Sequence, residues 1–316
     1  MTSLLSRRQI LSRSAVGLGA ALSAAAGAAG SEAAARKTEP FGYCLNMGTL
    51  LGHKLSVVEQ VSVAAQAGWR AVELWMRDLR RYVEGGGSLR DLKAEIAERG
   101  LEVASAIGFP RWAVDDDAER AKGLEQLRRD MELVAAIGGR RIAAPPAGIH
   151  RTSGVDLRRV AERYRTVLEL GRQLGVVPQL EIWGAALTLG TAAEAAFVAL
   201  AADDPDACLL LDVFHLYKGN SGFAGLKLLN GAAMHVFHIN DYPPDPPRQE
   251  ANDSHRIFPG DGIAPLGEIL KTLHDTGFRG MLSLELFNRQ YWKEDPLTVA
   301  RTGLEKTRAA VRRALA

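Results

Sequence analysis

The chain has 316 residues, of which 47% are hydrophobic and 24% are charged, and its formal net charge is +2. This composition is ordinary for a folded globular protein, and a chain of this length buries a large core without disulfide or metal staples. The small net charge argues neither for nucleic acid nor for an acidic membrane surface, so neither is predicted as a partner.

Residues 1–35 have the features of an export signal followed by a short linker. Arg7 and Arg8 form a twin-arginine pair, and an apolar run rich in Ala and Gly extends from Ala15 to about Ala29. This run is too short and too rich in Ala to span a bilayer readily, so no stable membrane anchor is expected. The segment resembles a twin-arginine signal, which the export machinery reads as an address. The protein is therefore expected in the periplasm or otherwise exported.

From residue 41 onward, short apolar segments alternate with longer segments of helical periodicity. The predicted strands are 41–47, 71–75, 103–109, 141–146, 178–183, 208–215, 234–241 and 280–287. The predicted helices are 56–67, 89–99, 116–137, 156–174, 191–201, 222–230, 265–276 and 295–316. Eight strand–helix units indicate an α/β fold with a parallel sheet.

The number of units favours a closed (β/α)8 TIM barrel over a doubly wound open sheet. An open sheet of that kind usually has about six strands and a Gly-rich phosphate loop after the first one. No GxGxxG motif occurs between residues 41 and 316, and no internal linker divides this region. The sequence thus predicts a single domain, residues 41–316. Its longest irregular stretch, residues 242–264 after the seventh strand, is predicted to be functional because loops of that length usually are.

The two cysteines are predicted to be free thiols. Cys44 lies in the first predicted strand and Cys208 in the sixth. These strands are not neighbours in an eight-stranded barrel, so a disulfide between them is not expected even in an oxidising compartment.

Each strand from the fifth to the eighth carries one metal-binding side chain near the end of an otherwise apolar run. These side chains are Glu181, Asp212, His238 and Glu285. A carboxylate buried in a strand costs several kcal/mol unless it is paired or binds a metal, and the carboxyl ends of barrel strands form the active-site mouth. The pattern predicts one divalent ion: Mn²⁺, Co²⁺, Mg²⁺ or Zn²⁺. The alternative is a buried, hydrogen-bonded polar layer.

Two histidines compete for the metal position on the seventh strand. Alternation places His238 on the same face as Val236 and Asn240, and His235 on the other face with Phe237. His238 is also nearer the carboxyl end of the strand. It is therefore the predicted ligand, whereas His235 is predicted to pack against a helix.

The succession of Glu181, Asp212-x-x-His215, His238 and Glu285 resembles the xylose isomerase-like barrel superfamily. This group includes sugar phosphate isomerases and epimerases, ketose 3-epimerases, inosose-processing enzymes and endonuclease IV, and the resemblance covers roughly residues 41–316. It implies that Glu181, Asp212, His238 and Glu285 are the metal ligands. The 26-residue spacing from Asp212 to His238 is similar to that of the ketose epimerases.

The resemblance also implies roles in proton transfer and substrate binding. Glu181 and Glu285 would remove and return a proton next to a carbonyl through an enediolate, and His215 would hydrogen-bond a substrate oxygen. Ketose epimerases have a carbonyl-polarising Arg six residues after the ligand His, but here that position is Pro244. Arg256 is the predicted replacement, with Arg248 as the second choice.

Two further residues are predicted to contact the substrate. Glu73 lies on the second strand, where it could line the mouth. Trp183 lies near the end of the fifth strand and could stack on a sugar ring, with core packing as the alternative.

Three functions are consistent with these residues. The first is a metal-dependent isomerase or epimerase of an unphosphorylated sugar, keto-sugar or cyclitol. The second is a lyase or dehydratase that acts on a 3-keto-glycoside, which export favours. The third is a non-catalytic sugar-binding barrel, although a binding module needs no pair of glutamates for acid–base chemistry. Endonuclease IV-like activity is not expected, since it uses more metal ions and more His ligands and requires a basic face. The oligomeric state stays open between a monomer and a homo-oligomer.

Overall fold

The computed structural model describes residues 39–316, so the twin-arginine segment predicted at 1–35 lies outside the described residues. Eight strands alternate with helices along residues 42–315. The strands are β1 Gly42–Asn46, β2 Ala71–Trp75, β3 Glu102–Ile107, β4 Arg141–Ala144, β5 Val177–Glu181, β6 Leu209–Asp212, β7 Met234–Ile239 and β8 Met281–Leu284.

The strands form a nearly closed barrel. Neighbours pair in parallel in the order β3-β2-β1-β8-β7-β6-β5-β4. The two terminal strands of this order, β3 and β4, lie against each other. Inside the barrel, Gln179 Nε2 on β5 donates to Ser105 Oγ on β3 over 3.1 Å. The predicted TIM barrel is confirmed.

Nine α-helices are found in the described residues. They are α1 Val57–Gln66, α2 Met76–Glu84, α3 Leu89–Glu98, α4 Asp117–Ala136, α5 Leu157–Leu174, α6 Ala192–Ala202, α7 Val213–Lys218, α8 Leu266–Asp275 and α9 Pro296–Leu315. A capping box of Ser56 and Glu59 starts α1, at the beginning of the predicted helix 56–67. Within residues 39–316, no helix combines the length and apolarity needed to cross a membrane.

The helices pack on the barrel through apolar stripes. In α5, Val160, Tyr164 and Leu168 are buried at the spacing of one helix face. The Tyr164 hydroxyl donates to the Pro178 carbonyl oxygen over 2.8 Å, which ties this face to β5. Cys44 and Cys208 are buried free thiols, as predicted.

The sixth unit differs from the prediction in two places. β6 ends at Asp212 and not at residue 215, because the Asp212 carboxylate accepts the His215 backbone N–H over 2.8 Å and caps α7. The predicted helix 222–230 is wrong: this stretch contains the 3-10 turns Ala224–Leu228 and Gly231–Ala233. Gly222 has φ +67°, a conformation that glycine adopts readily and an α-helix does not contain.

Candidate active site

A cavity of about 470 Å³ opens at the carboxyl ends of the strands, where TIM-barrel enzymes have their active sites. One part of its wall is charged and the other is aromatic. The lining residues are Trp75, Ile107, Phe109, His150, Arg151, Glu181, Trp183, Ala185, Ala186, His215, Asp253, Arg256, Glu285 and Phe287.

Three of the predicted metal ligands meet at the base of this mouth. Asp212, His238 and Glu285 each bring a ligand atom within 4.8 Å of the others. The strand register causes this, since Asp212 pairs with His238 and Glu285 directly follows β8. His238 Nδ1 lies 3.3 Å from Glu285 Oε2 and 3.7 Å from Asp212 Oδ2.

His238 is oriented by a carboxylate on its far side. Its Nε2 donates to Glu73 Oε2 over 2.9 Å, whereas its Nδ1 is buried without a hydrogen-bond partner. Burial alone would lower the pKa of His238, but the Glu285 and Glu73 carboxylates outweigh it and raise this pKa well above its usual value. The imidazole therefore presents Nδ1 to the other two residues of the cluster.

Glu181, the fourth predicted ligand, lies at the same mouth but is not part of this close group of three. Its side chain is buried, and its Oε2 has no hydrogen-bond partner. Burial, with the negative charges of Glu285, Glu73 and Asp212, raises its pKa to about 8 against the opposing effect of His238. At neutral pH this carboxyl group thus carries a proton.

Arg256 joins the acidic residues of the site. Only 1% of its surface is exposed, and its Nη1 donates over 2.8 Å to both Asp212 Oδ2 and Glu285 Oε2. Its Nη2 donates to Asp253 Oδ1 over 2.6 Å. Burial alone would lower the pKa of Arg256, but these carboxylates raise it further above its usual value. Such charge-assisted contacts fix the guanidinium and the two cluster carboxylates together.

Arg256 lies in the long loop after β7, residues 242–264, which the sequence predicts to be functional. Asp241 and Ile257 form an antiparallel bridge across the base of the loop. The Asp241 carboxylate accepts the backbone N–H groups of Gly260 (2.9 Å), Gly262 (3.1 Å) and Ala264 (2.9 Å). Arg248, the second choice from the sequence, instead bonds Asn220 on the surface.

His215 lies in the first turn of α7 and lines the cavity. Its Nε2 is 3.1 Å from Arg256 Nη2, which donates to it because a guanidinium has no acceptor. Burial lowers the pKa of His215. The Asp212 carboxylate opposes this effect, and the positive charge of Arg256 lowers the pKa further. The ring is therefore neutral with its proton on Nδ1, an atom that is buried without a protein partner.

Glu73 lies behind His238 and not on the cavity wall, where the sequence predicts it. It is fully buried, and its Oε2 accepts hydrogen bonds from Asn46 (2.9 Å), His238 (2.9 Å) and Ser283 (2.8 Å). Burial raises its pKa, but the His238 charge and these hydrogen bonds lower it below the usual value overall. Glu73 is thus placed to orient His238 and to stay ionised.

Asn46 is a site residue that the sequence reading missed. Its Nδ2 donates to Glu73 Oε2 and to Glu285 Oε1, and its Oδ1 accepts the Trp75 indole N–H over 3.0 Å. The same signal that identified the other strand-end residues applies to it, because Asn46 is a buried polar residue at the end of β1. Asn240 was also missed, although its Nδ2 donates to Asp212 Oδ2 over 3.1 Å.

These residues fit a divalent metal ion. His238 Nδ1 and Glu181 Oε2 are both buried without hydrogen-bond partners, and such atoms in a folded protein call for a ligand. Carboxylate oxygens with one imidazole nitrogen suit a divalent ion of intermediate hardness. The Glu73 contact behind His238 is the support that metal-binding histidines usually have.

The aromatic part of the wall is a connected row of rings. Phe287 lies 5.9 Å from Trp75, Trp75 lies 5.4 Å from Phe109, and Phe109 lies 5.8 Å from Trp183, between ring centroids. His150 follows at 5.3 Å from Trp183. Trp183, predicted to stack on a sugar, is thus in the cavity wall.

Comparison with known proteins agrees with this architecture. A family model described as xylose isomerase-like TIM barrel matches residues 61–310. The chain is 24% identical to an inosose isomerase of Bacillus velezensis over 272 residues, 85% of this chain and 96% of that protein. It is 28% identical to a 3-dehydroshikimate dehydratase of Pseudomonas aeruginosa over 237 residues, 73% of this chain but 36% of that protein. A crystal structure of an IOLI protein with a zinc atom has a similar fold, with a TM-score of 0.79, 22% identity and coverage of 87% of this chain and 100% of that one.

Proposed function

This chain belongs to the xylose isomerase-like TIM barrel family, and we propose that it is a divalent-metal-dependent isomerase or epimerase of an unphosphorylated sugar, keto-sugar or cyclitol. The observation that carries the proposal is the pair Glu181 and Glu285, two carboxyl groups that line one cavity beside the Asp212–His238 cluster. The similarity to inosose isomerases supports a carbohydrate or cyclitol substrate.

The proposed metal ligands are Asp212, His238 and Glu285, together with Glu181. The zinc atom bound in the structure of the similar IOLI protein supports a divalent ion in this chain. When bound, such an ion stabilises negative charge on a carbonyl or hydroxyl oxygen of the substrate.

The protein side chains would move the proton. A proton next to a carbonyl leaves to one glutamate to give an enediolate, and the other glutamate returns a proton on the opposite face. Without metal, burial and the neighbouring carboxylates raise the pKa of Glu181 to about 8, so this group takes up a proton readily. His215, neutral and with an unpartnered Nδ1 proton, would donate to a substrate oxygen.

The charges in the cavity support a substrate without phosphate. Arg256 already pairs with Asp212, Glu285 and Asp253, so its charge is balanced. The other arginine that lines the cavity, Arg151, is exposed. A phosphate group would therefore meet carboxylates in the interior of the site.

Proton NMR in D2O tests the proposal. Metal-loaded protein is incubated with inososes, ketoses and 3-keto-glycosides, and incorporation of solvent deuterium at the carbon next to the carbonyl is measured. We expect incorporation for at least one of these classes and its loss in the chelator-treated protein. Absence of exchange across the panel would contradict an enediolate isomerase.

A lyase or dehydratase that acts on a 3-keto-glycoside is the second candidate. The similarity to 3-dehydroshikimate dehydratases favours it, because their name describes an elimination. The first step would be the same proton removal, and the glutamate that has taken this proton would then donate it to the leaving oxygen. The same NMR experiment separates the two reactions, since elimination releases an alcohol or water and isomerisation retains every atom.

We also propose that the protein is exported, on the basis of Arg7 and Arg8. Cell fractionation tests this: the wild-type chain should be in the periplasmic fraction, and replacement of both arginines by Lys should retain it in the cytoplasm. Equal distribution of the two chains would contradict export by the twin-arginine route.

A further inference from the structure

The mouth of the barrel has two unlike halves. Strands β5 to β8 contribute its charged groups, with Glu181, Asp212 and Glu285 at their ends. The aromatic row begins at Phe287 after β8 and continues along the ends of β2, β3, β4 and β5. A ligand that fills the cavity therefore meets carboxyl groups on one side and aromatic rings on the other.

The aromatic half is not ordinary core packing. Phe109, in the middle of the row, is 44% exposed although it contacts both Trp75 and Trp183. The Trp75 N–H is already bonded to Asn46, so Trp75 presents only apolar surface to the cavity. Exposed apolar surface that is rimmed by polar groups commonly marks a binding site.

The row is longer than one sugar ring requires. Its five rings follow one another at 5.3–5.9 Å. A monosaccharide held between Glu181 and Glu285 would lie next to Trp183 and Phe287, the rings that follow these residues in the chain, and would leave Phe109 open. A second, planar group attached to the sugar would cover Phe109 by stacking, the arrangement that aromatic rings favour.

We propose that the substrate is an aryl glycoside or a keto derivative of one, whose planar aglycone stacks on Phe109 while the oxygenated ring lies against the carboxylates. The position of the sugar rests on the proposed function. Binding of the aglycone at the aromatic subsite can be tested without turnover.

The test compares methyl and phenyl 3-keto-β-D-glucopyranoside, two ligands that differ only in the aglycone, by calorimetric titration of the metal-loaded protein. We expect the phenyl ligand to bind at least about tenfold more tightly. Phe109→Ala should remove most of this preference while the affinity for the methyl ligand changes less than about twofold. The matched control is Phe197→Ala, a half-exposed phenylalanine on α6 outside the cavity, which should leave both affinities unchanged.

Equal affinities for the two ligands in the wild type, including no measurable binding of either, would overturn the subsite. An equal loss of both affinities in Phe109→Ala would also overturn it, because the ring would then serve the sugar itself. Since 44% of Phe109 is exposed, thermal unfolding of the variant is expected to stay close to that of the wild type. Preference for the phenyl ligand without deuterium exchange would contradict the proposed reaction and leave the subsite standing. Deuterium exchange together with equal affinities for the two ligands would contradict the subsite and leave the proposed reaction standing.

Discussion

The Glu73 carboxylate and the His238 imidazole form a buried pair in which Oε2 lies 2.9 Å from Nε2. The pair fixes the ring orientation and leaves Nδ1 facing Asp212 and Glu285. Hydrogen bonds from Asn46 and Ser283 help to keep Glu73 ionised. Its negative charge makes the His238 imidazole more basic.

The first prediction follows from this pair. Glu73→Gln keeps the shape of the side chain but removes the charge behind His238, so the affinity for a divalent metal should fall by about 10–100-fold. Metal titration followed by calorimetry measures this, and Glu98→Gln on the outside of α3 is the charge-matched control. An unchanged metal affinity in a folded Glu73→Gln protein would show that Glu73 has only a packing role.

The second prediction separates the two histidines of β7. His238→Ala should abolish stoichiometric metal binding, since it removes the only nitrogen donor of the Asp212–His238–Glu285 group. His235 lines a different cavity with Arg140 and Arg141, at the strand starts, so His235→Ala should at most lower thermal stability. Elemental analysis of the two purified variants checks this. Loss of metal from the His235 variant alone would contradict the site.

The third prediction concerns competition for the carboxylates. Arg256 Nη1 donates to Asp212 Oδ2 and Glu285 Oε2, the same oxygens that are proposed to hold the metal. Arg256→Gln removes a positive charge next to them and should tighten metal binding by about tenfold or more, while turnover falls. Arg248→Gln, on the surface of the same loop, is the control for both measurements. Weaker metal binding in Arg256→Gln would mean that the guanidinium mainly organises the ligands.

These residues also show what the sequence could and could not predict. Alternation along one strand is a local property, and it was sufficient to separate His238 from His235. The contact between Glu73 and His238 joins residues 165 positions apart and exists because the curved sheet brings β2 close to β7, with β1 and β8 between them. No pattern within either strand contains that information, so Glu73 was predicted on the cavity wall. Asp253, a partner of Arg256, was missed because loop geometry depends on the Asp241 hydrogen bonds.

The fourth prediction is that metal uptake releases protons. Glu181, with a pKa raised to about 8, and His238, with a pKa raised well above its usual value, are protonated at neutral pH without metal. Both must lose the proton to become ligands, so metal affinity should rise between roughly pH 6 and pH 9 and fall as the pH drops. Calorimetry at pH 7 in buffers of different ionisation enthalpy counts the protons. Binding heats that do not depend on the buffer would rule this out.

The last prediction concerns the two glutamates that are proposed to move the proton. Glu181→Gln and Glu285→Gln keep the side-chain shape but remove a base and one negative charge from the metal site. Each should lower turnover by at least about 10²-fold, the scale of general acid–base catalysis. Glu169→Gln, an exposed residue of α5, is the matched control.

Metal content must be measured alongside, because a variant that has lost its metal says nothing about proton transfer. The decisive case is a variant that retains metal: loss of solvent deuterium exchange together with turnover then assigns the proton to that glutamate. If the wild type converts its substrate with no exchange at the carbon next to the carbonyl, the hydrogen moves without meeting solvent. A hydride shift between neighbouring carbons would then replace proton abstraction, and Glu181 and Glu285 would act as ligands alone.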